Sequence, residues 1–453
     1  MGINRVFIAN RGEIAVRVIR ACRSLGLETV AAVSEADCDS LAAELADRAV
    51  LIGPAAPSES YLNLAAILDA AAEAGADALH PGYGFLAEQP ALAAACAERG
   101  IKFIGPDAAA IAAMGNKLAA RQQVRGIGVP VVPGSASVRT QEDAVSVAGE
   151  IGYPLLIKAA AGGGGRGIKI VTEVHGLGDA FATASAEARA AFGDETLYME
   201  RYVGNARHVE VQVLGDGEGG VVHVGERDCS VQRRYQKVVE EAPAPGLDED
   251  LRGDIRAAAV AVAEAIRYEN AGTVEFIVDG DRDAFYFLEM NTRIQVEHPV
   301  TEMVTGIDLV AEQLRIAGGE GLSVAQSDIA LKGHAIECRI TAEDAAANFQ
   351  PSPGRIEVWE PPAGDGIRVD THCRAGDVVP PFYDSLLAKL IVSGDNRLQA
   401  VSRLQEALAR FTVTGVSTTI PFLRLLACQL DFVKGGVNTR WLEGNLEDLK
   451  GGI

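Results

Sequence analysis

Several things are scarce in this 453-residue chain, and each scarcity closes off a class of function. Its seven cysteines (Cys22, Cys38, Cys96, Cys229, Cys338, Cys373, Cys428) are odd in number, scattered, and never spaced Cys-x-x-Cys. A disulfide framework and a cysteine zinc site are thereby disfavoured, and the thiols read as small apolar residues. Basic residues are outnumbered 62 to 41, for a formal charge of -21. No broad basic surface exists for nucleic acid or an anionic membrane, so an anionic substrate must meet a local basic cluster. The longest apolar runs, Leu64–Ala74 and Ala257–Ile266, are alanine-rich and broken by charge, short of the roughly 20 residues a membrane helix needs. No signal segment precedes Val6, and the expectation is a cytoplasmic protein. The turn after the first β-like run, Ala9-Asn-Arg-Gly-Glu13, lacks the three-glycine dinucleotide fingerprint, which disfavours a nicotinamide dehydrogenase.

What is present reads as a two- or three-domain enzyme, 48% hydrophobic and 23% charged. Up to residue 110, short β-like runs (Val6–Ala9, Thr29–Val33, Ala49–Ile52, Ala78–His80, Phe103–Ile104) alternate with helical stretches (Glu13–Leu25, Leu64–Ala74, Ala91–Arg99), the rhythm of a parallel α/β domain. From about 130 to 203 a smaller unit follows: a strand near Val131, a helix opened by Thr140-x-x-Asp143, the strand Leu155–Ala159, a glycine-rich loop and the strand Ile168–Val171. It reads as an inserted lid. Strands then dominate, with His208–Val213 alternating cleanly and Thr273–Val278 paired to Ala284–Met290 across the turn at 279–283, which sets Glu275 beside Glu289. After residue 330, the strand His334–Thr341 and the helix Leu398–Arg410 stand out.

Three stretches concentrate chemistry. Leu288–Glu297 alternates with a period of two, which predicts an extended chain whose polar face carries Glu289, Asn291, Arg293, Gln295 and Glu297. Such a face can hold a hard cation beside an anion, or merely be the wet side of a surface strand. Ala161-Gly-Gly-Gly-Gly-Arg-Gly167 joins two strands, unlike a Walker loop; with Lys158 and Arg166 it can close amides around phosphate, or be a flexible hairpin tip. Cys229–Lys237 packs three cations and two amides into an acidic protein, as an anion cluster or a solvated turn.

Taken in order, Ile8-Ala-Asn-Arg-Gly-Glu-Ile14, His80-Pro-Gly-Tyr-Gly-Phe85, Gly162–Gly167, Glu226-Arg-Asp-Cys-Ser230, Gln232–Pro245 and Glu289–Glu302 resemble biotin carboxylase, of the ATP-grasp superfamily, over nearly the whole chain. The fold this resemblance implies is α/β and α+β: a Rossmann-like N-terminal domain (1–114), an ATP-grasp domain (115–330) with a mobile lid at about 130–203, and a C-terminal domain (331–446). It further implies that Lys117, Lys158, Gly164, Gly165, Glu200, Arg201, Val203, His208, Gln232, Tyr235, Glu275, Leu288 and Glu289 serve ATP. Magnesium or manganese would sit on Glu275, Glu289 and Asn291. Lys237, Arg293, Gln295, the Val296 amide and Glu297 would hold bicarbonate, with Glu297 as base, and Tyr83 and Arg339 would face the biotin ureido ring. Lys237, Arg293, Glu297 and Arg339 would be catalytic. Three departures from common family patterns are Ala161 before four glycines, Arg201 for lysine, and Tyr235 for histidine.

The implied reaction joins ATP and bicarbonate into carboxyphosphate and then carboxylates biotin. None of the five methionines is followed by lysine, so the biotin attachment site is missing and biotin must arrive on a carrier protein. The resemblance implies a homodimer that charges that carrier for carboxyltransferase subunits, most simply of acetyl-CoA carboxylase, with propionyl-CoA, another acyl-CoA, pyruvate or 2-oxoglutarate as other acceptors. The rival readings are another ATP-grasp ligase and a non-catalytic ATP-binding regulatory subunit. Glu297 beside Arg293 and Lys237 is expected to have a lowered pKa unless desolvation offsets the attraction.

Overall fold

The computed structural model describes residues 2–160 and 168–453. Its N-terminal part is a parallel sheet of β1 (Arg5–Ile8), β2 (Glu28–Ser34), β3 (Arg48–Gly53), β4 (Ala78–His80) and β5 (Lys102–Phe103), in the order β3-β2-β1-β4-β5. The order reverses between β1 and β4, the place where open α/β sheets bind ligands beyond the carboxyl ends of the strands. The Ile8–Ile14 and His80–Phe85 motifs both lie there. Asn10, just past β1, donates to the carbonyls of Pro81 (2.7 Å) and Tyr83 (2.8 Å), pinning the turn that follows β4. Gly82 is required in that turn: its φ is +62°, and a Cβ would come within 2.8 Å of the Asn10 amide.

The lid is an antiparallel sheet of β6 (Gly134–Val138), β7 (Leu155–Ala159), β8 (Lys169–Val171) and β9 (Leu197–Arg201), ordered β6-β9-β7-β8. The Thr140 side chain accepts from the Asp143 amide and caps the helix Gln141–Ile151, as the spacing predicts. Val138, Leu155, Ile157, Val171, Leu197 and Met199 pack with the lid helices into a core of their own.

Eight antiparallel strands make the main sheet. Six are β10 (Ala206–Asp216), β11 (Val221–Arg233), β12 (Gln236–Ala242), β13 (Glu269–Asp279), β14 (Ala284–Asn291) and β15 (His334–Thr341), in the order β14-β13-β10-β11-β12-β15. The strands Leu386–Gly394 and Ile367–Thr371 complete it beyond β15. The sheet therefore runs without a break across residue 330, through pairs such as Val239 with Cys338 and Glu240 with Glu337. On β10, Val209, Val211 and Val213 join the core under the helix Glu249–Ala265, while His208, Glu210 and Gln212 alternate with them and are buried as well.

One expectation is corrected. The alternating stretch Leu288–Glu297 is not one extended strand: β14 stops at Asn291, and Thr292–Glu297 bends into the helix His298–Thr305. A proline in the first turn starts that helix, where its missing N–H costs nothing, and the Gln295 carbonyl accepts from the His298 amide at 3.3 Å to close the bend. The bend folds Gln295 and Glu297 back over the sheet.

Candidate active site

The floor of the site is three glutamates in a row. Register places Glu210 on β10 opposite Glu275 on β13, and Glu275 opposite Glu289 on β14, as expected for the last pair. Like charges at such spacing repel, and cations answer them. The Lys237 ammonium lies 2.6 Å from Glu210, 3.0 Å from Glu275, 3.0 Å from the side-chain amide oxygen of Gln295 and 2.5 Å from Glu297. An ammonium has three protons for these four oxygens. Burial works against charge on Lys237, yet Glu210, Glu275 and Glu297 hold its pKa well above the ordinary lysine value. His208 lies 3.0 Å from Glu275 and 2.9 Å from the Gln232 amide; burial again opposes charge, and Glu275 outweighs it, raising the imidazole pKa. Lys117 meets Glu289 at 3.1 Å.

Glu297 is the point of convergence. Lys237 donates to one of its oxygens and Arg339 to the other, at 2.9 Å, while Arg339 also grips Glu240 at 2.6 Å. Desolvation pushes the Glu297 carboxyl up, but Lys237, Arg339 and Arg227 together hold it well below the usual carboxylate range. The balance between desolvation and attraction thus falls to attraction. Arg293 does not touch Glu297. Its guanidinium donates to Glu88 (2.9 Å) and Asn291 (3.0 Å), and the Asn291 amide donates to Glu275 at 2.8 Å.

Behind the opposite wall, the buried Glu13 accepts from the Tyr83 hydroxyl and forms an ion pair with Lys389 at 3.0 Å, and Lys389 donates to the Val296 carbonyl at 2.9 Å. Tyr83 and the bend carrying Glu297 are therefore tied into one network.

On the lid side, Glu200 is buried between Lys158 and Arg121, the latter at 2.5 Å. Burial raises its carboxyl and the two cations outweigh that, so its pKa is lowered. Its carboxylate is engaged by these two cations. The Arg201 and Tyr202 amides donate to the Pro133 and Pro154 carbonyls at 2.8 and 3.1 Å, and the Arg201 guanidinium donates to the Tyr286 hydroxyl at 2.7 Å. The Arg201 amide is therefore engaged within the lid. Val203 is buried and Leu288 half-buried. Tyr235 is 55% exposed at the tip of the β11–β12 hairpin. Gly164, Gly165 and Arg166 lie outside the described residues.

Comparison with known proteins follows the same outline. Residues 2–111 match the biotin carboxylase N-terminal domain, 116–325 the carbamoyl-phosphate synthase L chain ATP-binding domain, and 337–444 the biotin carboxylase C-terminal domain. Biotin carboxylase 1 of Bacillus subtilis (strain 168) is 52% identical over 442 residues, which is 97% of this chain and 98% of that one. The chain belongs to the biotin carboxylase family. Within it, a pyruvate carboxylase subunit of Methanothermobacter thermautotrophicus is 50% identical over 97% of this chain and 89% of its own. A crystal structure of the biotin carboxylase domain dimer of Hydrogenobacter thermophilus 2-oxoglutarate carboxylase, in complex with MgADP, ADP and bicarbonate, superposes with a TM-score of 0.95 at 48% identity, covering 99% of each chain. The three-part architecture is that of the family.

Against this family background, the donor set fits a hard cation: Glu275 and Glu289 offer carboxylate oxygens from adjacent strands, and Asn291 closes the same end of the sheet. Several residues that build the site escaped the sequence reading. Glu210 could have been found, since it shares the polar alternation of β10 with His208. Glu88, which holds Arg293, and Lys389, which pairs with Glu13 behind Tyr83, come from a distant turn and strand with no local pattern to mark them, whereas Glu13 lies in the Ile8–Ile14 motif without a role being read for it.

Proposed function

We propose that this chain carboxylates biotin presented on a separate carrier protein, using MgATP and bicarbonate and passing through carboxyphosphate. The observation that carries the reading is the convergence on Glu297 of Lys237 and Arg339, one cation for each oxygen. Bicarbonate entering here competes for Lys237 and for Arg293, whose planar fork matches a planar anion. As Lys237 turns to the substrate, Glu297 loses part of the attraction that depresses its pKa and becomes a base. It then takes the bicarbonate proton, and a bicarbonate oxygen bonds to the γ-phosphorus as the bond to ADP breaks. Magnesium, on Glu275 and Glu289 with Asn291 beside them, supplies charge neutralisation for the phosphates when bound. Carboxyphosphate divides into carbon dioxide and phosphate; phosphate removes the N1 proton of biotin, Arg339 stabilises the ureido oxygen as its charge develops, and N1 then bonds to the carbon of carbon dioxide to give carboxybiotin.

In this reading Lys117, Lys158, Gly164 and Gly165 meet ATP phosphates, while Glu200, Arg201, Val203, His208, Gln232, Tyr235 and Leu288 shape the nucleotide pocket. Gln295 and the Val296 amide complete the bicarbonate site, and Tyr83 flanks biotin. The working units are 1–114, 115–330 and 331–446, assembled as a homodimer in the cytoplasm. A carboxyltransferase, which selects the acyl or oxo-acid acceptor, takes the carboxyl group onward.

The test is ADP release with magnesium and bicarbonate, with and without free biotin, alongside a Glu297→Gln variant. Stimulation by biotin in the parent chain and its loss in the variant are the expected pair of results. ADP release indifferent to biotin would sink the assignment in favour of another ligase.

A further inference from the structure

Directly across the β12–β15 ladder, Glu240 faces Glu337, and both side chains are fully buried. Cross-strand partners sit about 5 Å apart at Cβ, and two like charges there are destabilising. Only one of their four oxygens has a donor: Glu240 Oε1 accepts from Arg339, while Glu240 Oε2 and both oxygens of Glu337 have none among the described residues. Leaving buried polar atoms unpaired in this way is costly. Beside the pair, Ala242, Val300, Val304, Ala335 and Ile391 pack into an apolar cluster that supplies no hydrogen-bond donor.

The charged groups facing Glu337 are Lys389 from the adjacent strand, Glu240 from β12, Arg339 two residues along β15 and Glu297 at the start of the helix His298–Thr305. The titratable groups of that helix are engaged elsewhere, His298 on the Gln295 carbonyl and Glu302 on Arg17 and Arg368. From the helix Arg397–Arg410, Arg397 reaches Glu241, not this pair.

We infer that Glu240 and Glu337 share a single proton, carried by Glu337 and donated to Glu240, and that the pair is a positioning element for Arg339. One proton gives a partner to the free Glu240 oxygen and removes the like-charge clash. It also leaves one anion, not two, behind the guanidinium. Burial raises both carboxyls, Glu240 to about 7 and Glu337 well above the ordinary glutamate value, in keeping with a proton retained near neutral pH. Ionising Glu337 would place a second negative charge behind Arg339 and pull it away from an incoming ureido oxygen. This last step rests on the biotin reading of Arg339; the shared proton does not.

The experiment is infrared spectroscopy of the intact chain from pH 6 to 9, with kcat/KM for free biotin measured over the same range. The expected result is a carbonyl stretch of a protonated buried carboxyl in the parent that is missing in Glu337→Gln. In the parent, kcat/KM for biotin should fall by about tenfold per pH unit beyond the pair's apparent pKa, the slope of one ionisation. In Glu337→Gln, which keeps a neutral donor, that fall should vanish, while biotin-independent ADP release keeps its pH profile. Glu240→Gln provides a second variant, with a raised KM for biotin and an unchanged KM for ATP. Absence of the infrared band, or an identical pH fall in parent and Glu337→Gln, would overturn the proposal. No biotin stimulation in the parent, with the band intact, would count against the biotin reading while upholding the shared proton.

Discussion

At the scale of single residues, Lys237 decides more than any other side chain. Three buried carboxylates, Glu210, Glu275 and Glu297, depend on it, and removing one member of a buried ionic group leaves the others uncompensated, at a cost of roughly 3–5 kcal/mol. Lys237→Met should therefore lose bicarbonate-dependent ADP release and unfold at lower urea concentration by a margin of that order. The pH dependence has a definite sign. Without the ammonium, burial and mutual repulsion raise the folded pKa of Glu275 and Glu297 above the unfolded value near 4.3. Such groups favour the folded state at low pH and withdraw that support as pH rises through the folded pKa. The deficit of the variant relative to the parent should then be larger at pH 8 than at pH 5; an equal deficit at both would show that Lys237 is not the charge balance of the site. The residue types were legible in the sequence because glutamate, arginine and glutamine recur at fixed spacing between Glu289 and Glu297. Glu88 was not, since its tie to Arg293 spans 205 positions.

At the scale of elements, sequence periodicity located the strands but overran one end. The alternation in Leu288–Glu297 continues past Asn291 although the strand does not, because β14 is the edge of its sheet and the chain beyond it turns into a helix. The lid was legible as a unit, from the Thr140 cap to the strand at Leu155–Ala159, since both signals are local. The hairpin between β11 and β12 hid a different feature. Its two-residue turn, Arg234-Tyr235, has φ of +50° and +64°, values that favour asparagine and glycine and that cost a side-chain-bearing residue about 1 kcal/mol. The Arg234 amide donates to Glu443 at 3.0 Å, which anchors the tip on the C-terminal helix Trp441–Gly451. Tyr235→Gly should raise the urea midpoint slightly, by up to about 1 kcal/mol of stability. A drop in the midpoint would mean that the phenol contributes more by packing than the turn loses by strain.

At the scale of the whole molecule, the parallel N-terminal sheet could be read from the rhythm of its runs, whereas the eight-stranded sheet could not. β12 and β15 are nearly a hundred residues apart, and no local pattern records that Val239 will pair with Cys338. That pairing makes the sequence boundary near residue 330 a poor place to divide the chain. A fragment ending there would bare the backbone edge of β12, remove Arg339 and Lys389 from Glu240, Glu297 and Glu13, and strip the apolar cover from Val231 and Val239. Open edges beside exposed apolar surface invite association between copies. Residues 1–330 expressed alone should therefore elute as large aggregates in size-exclusion chromatography, and coexpression with 331–453 should recover a soluble complex. A monomeric 1–330 fragment with native-like near-UV circular dichroism would show that the sheet closes stably at β12. The last three strands would then bring Arg339 and Lys389 to the site without supporting the rest of the fold.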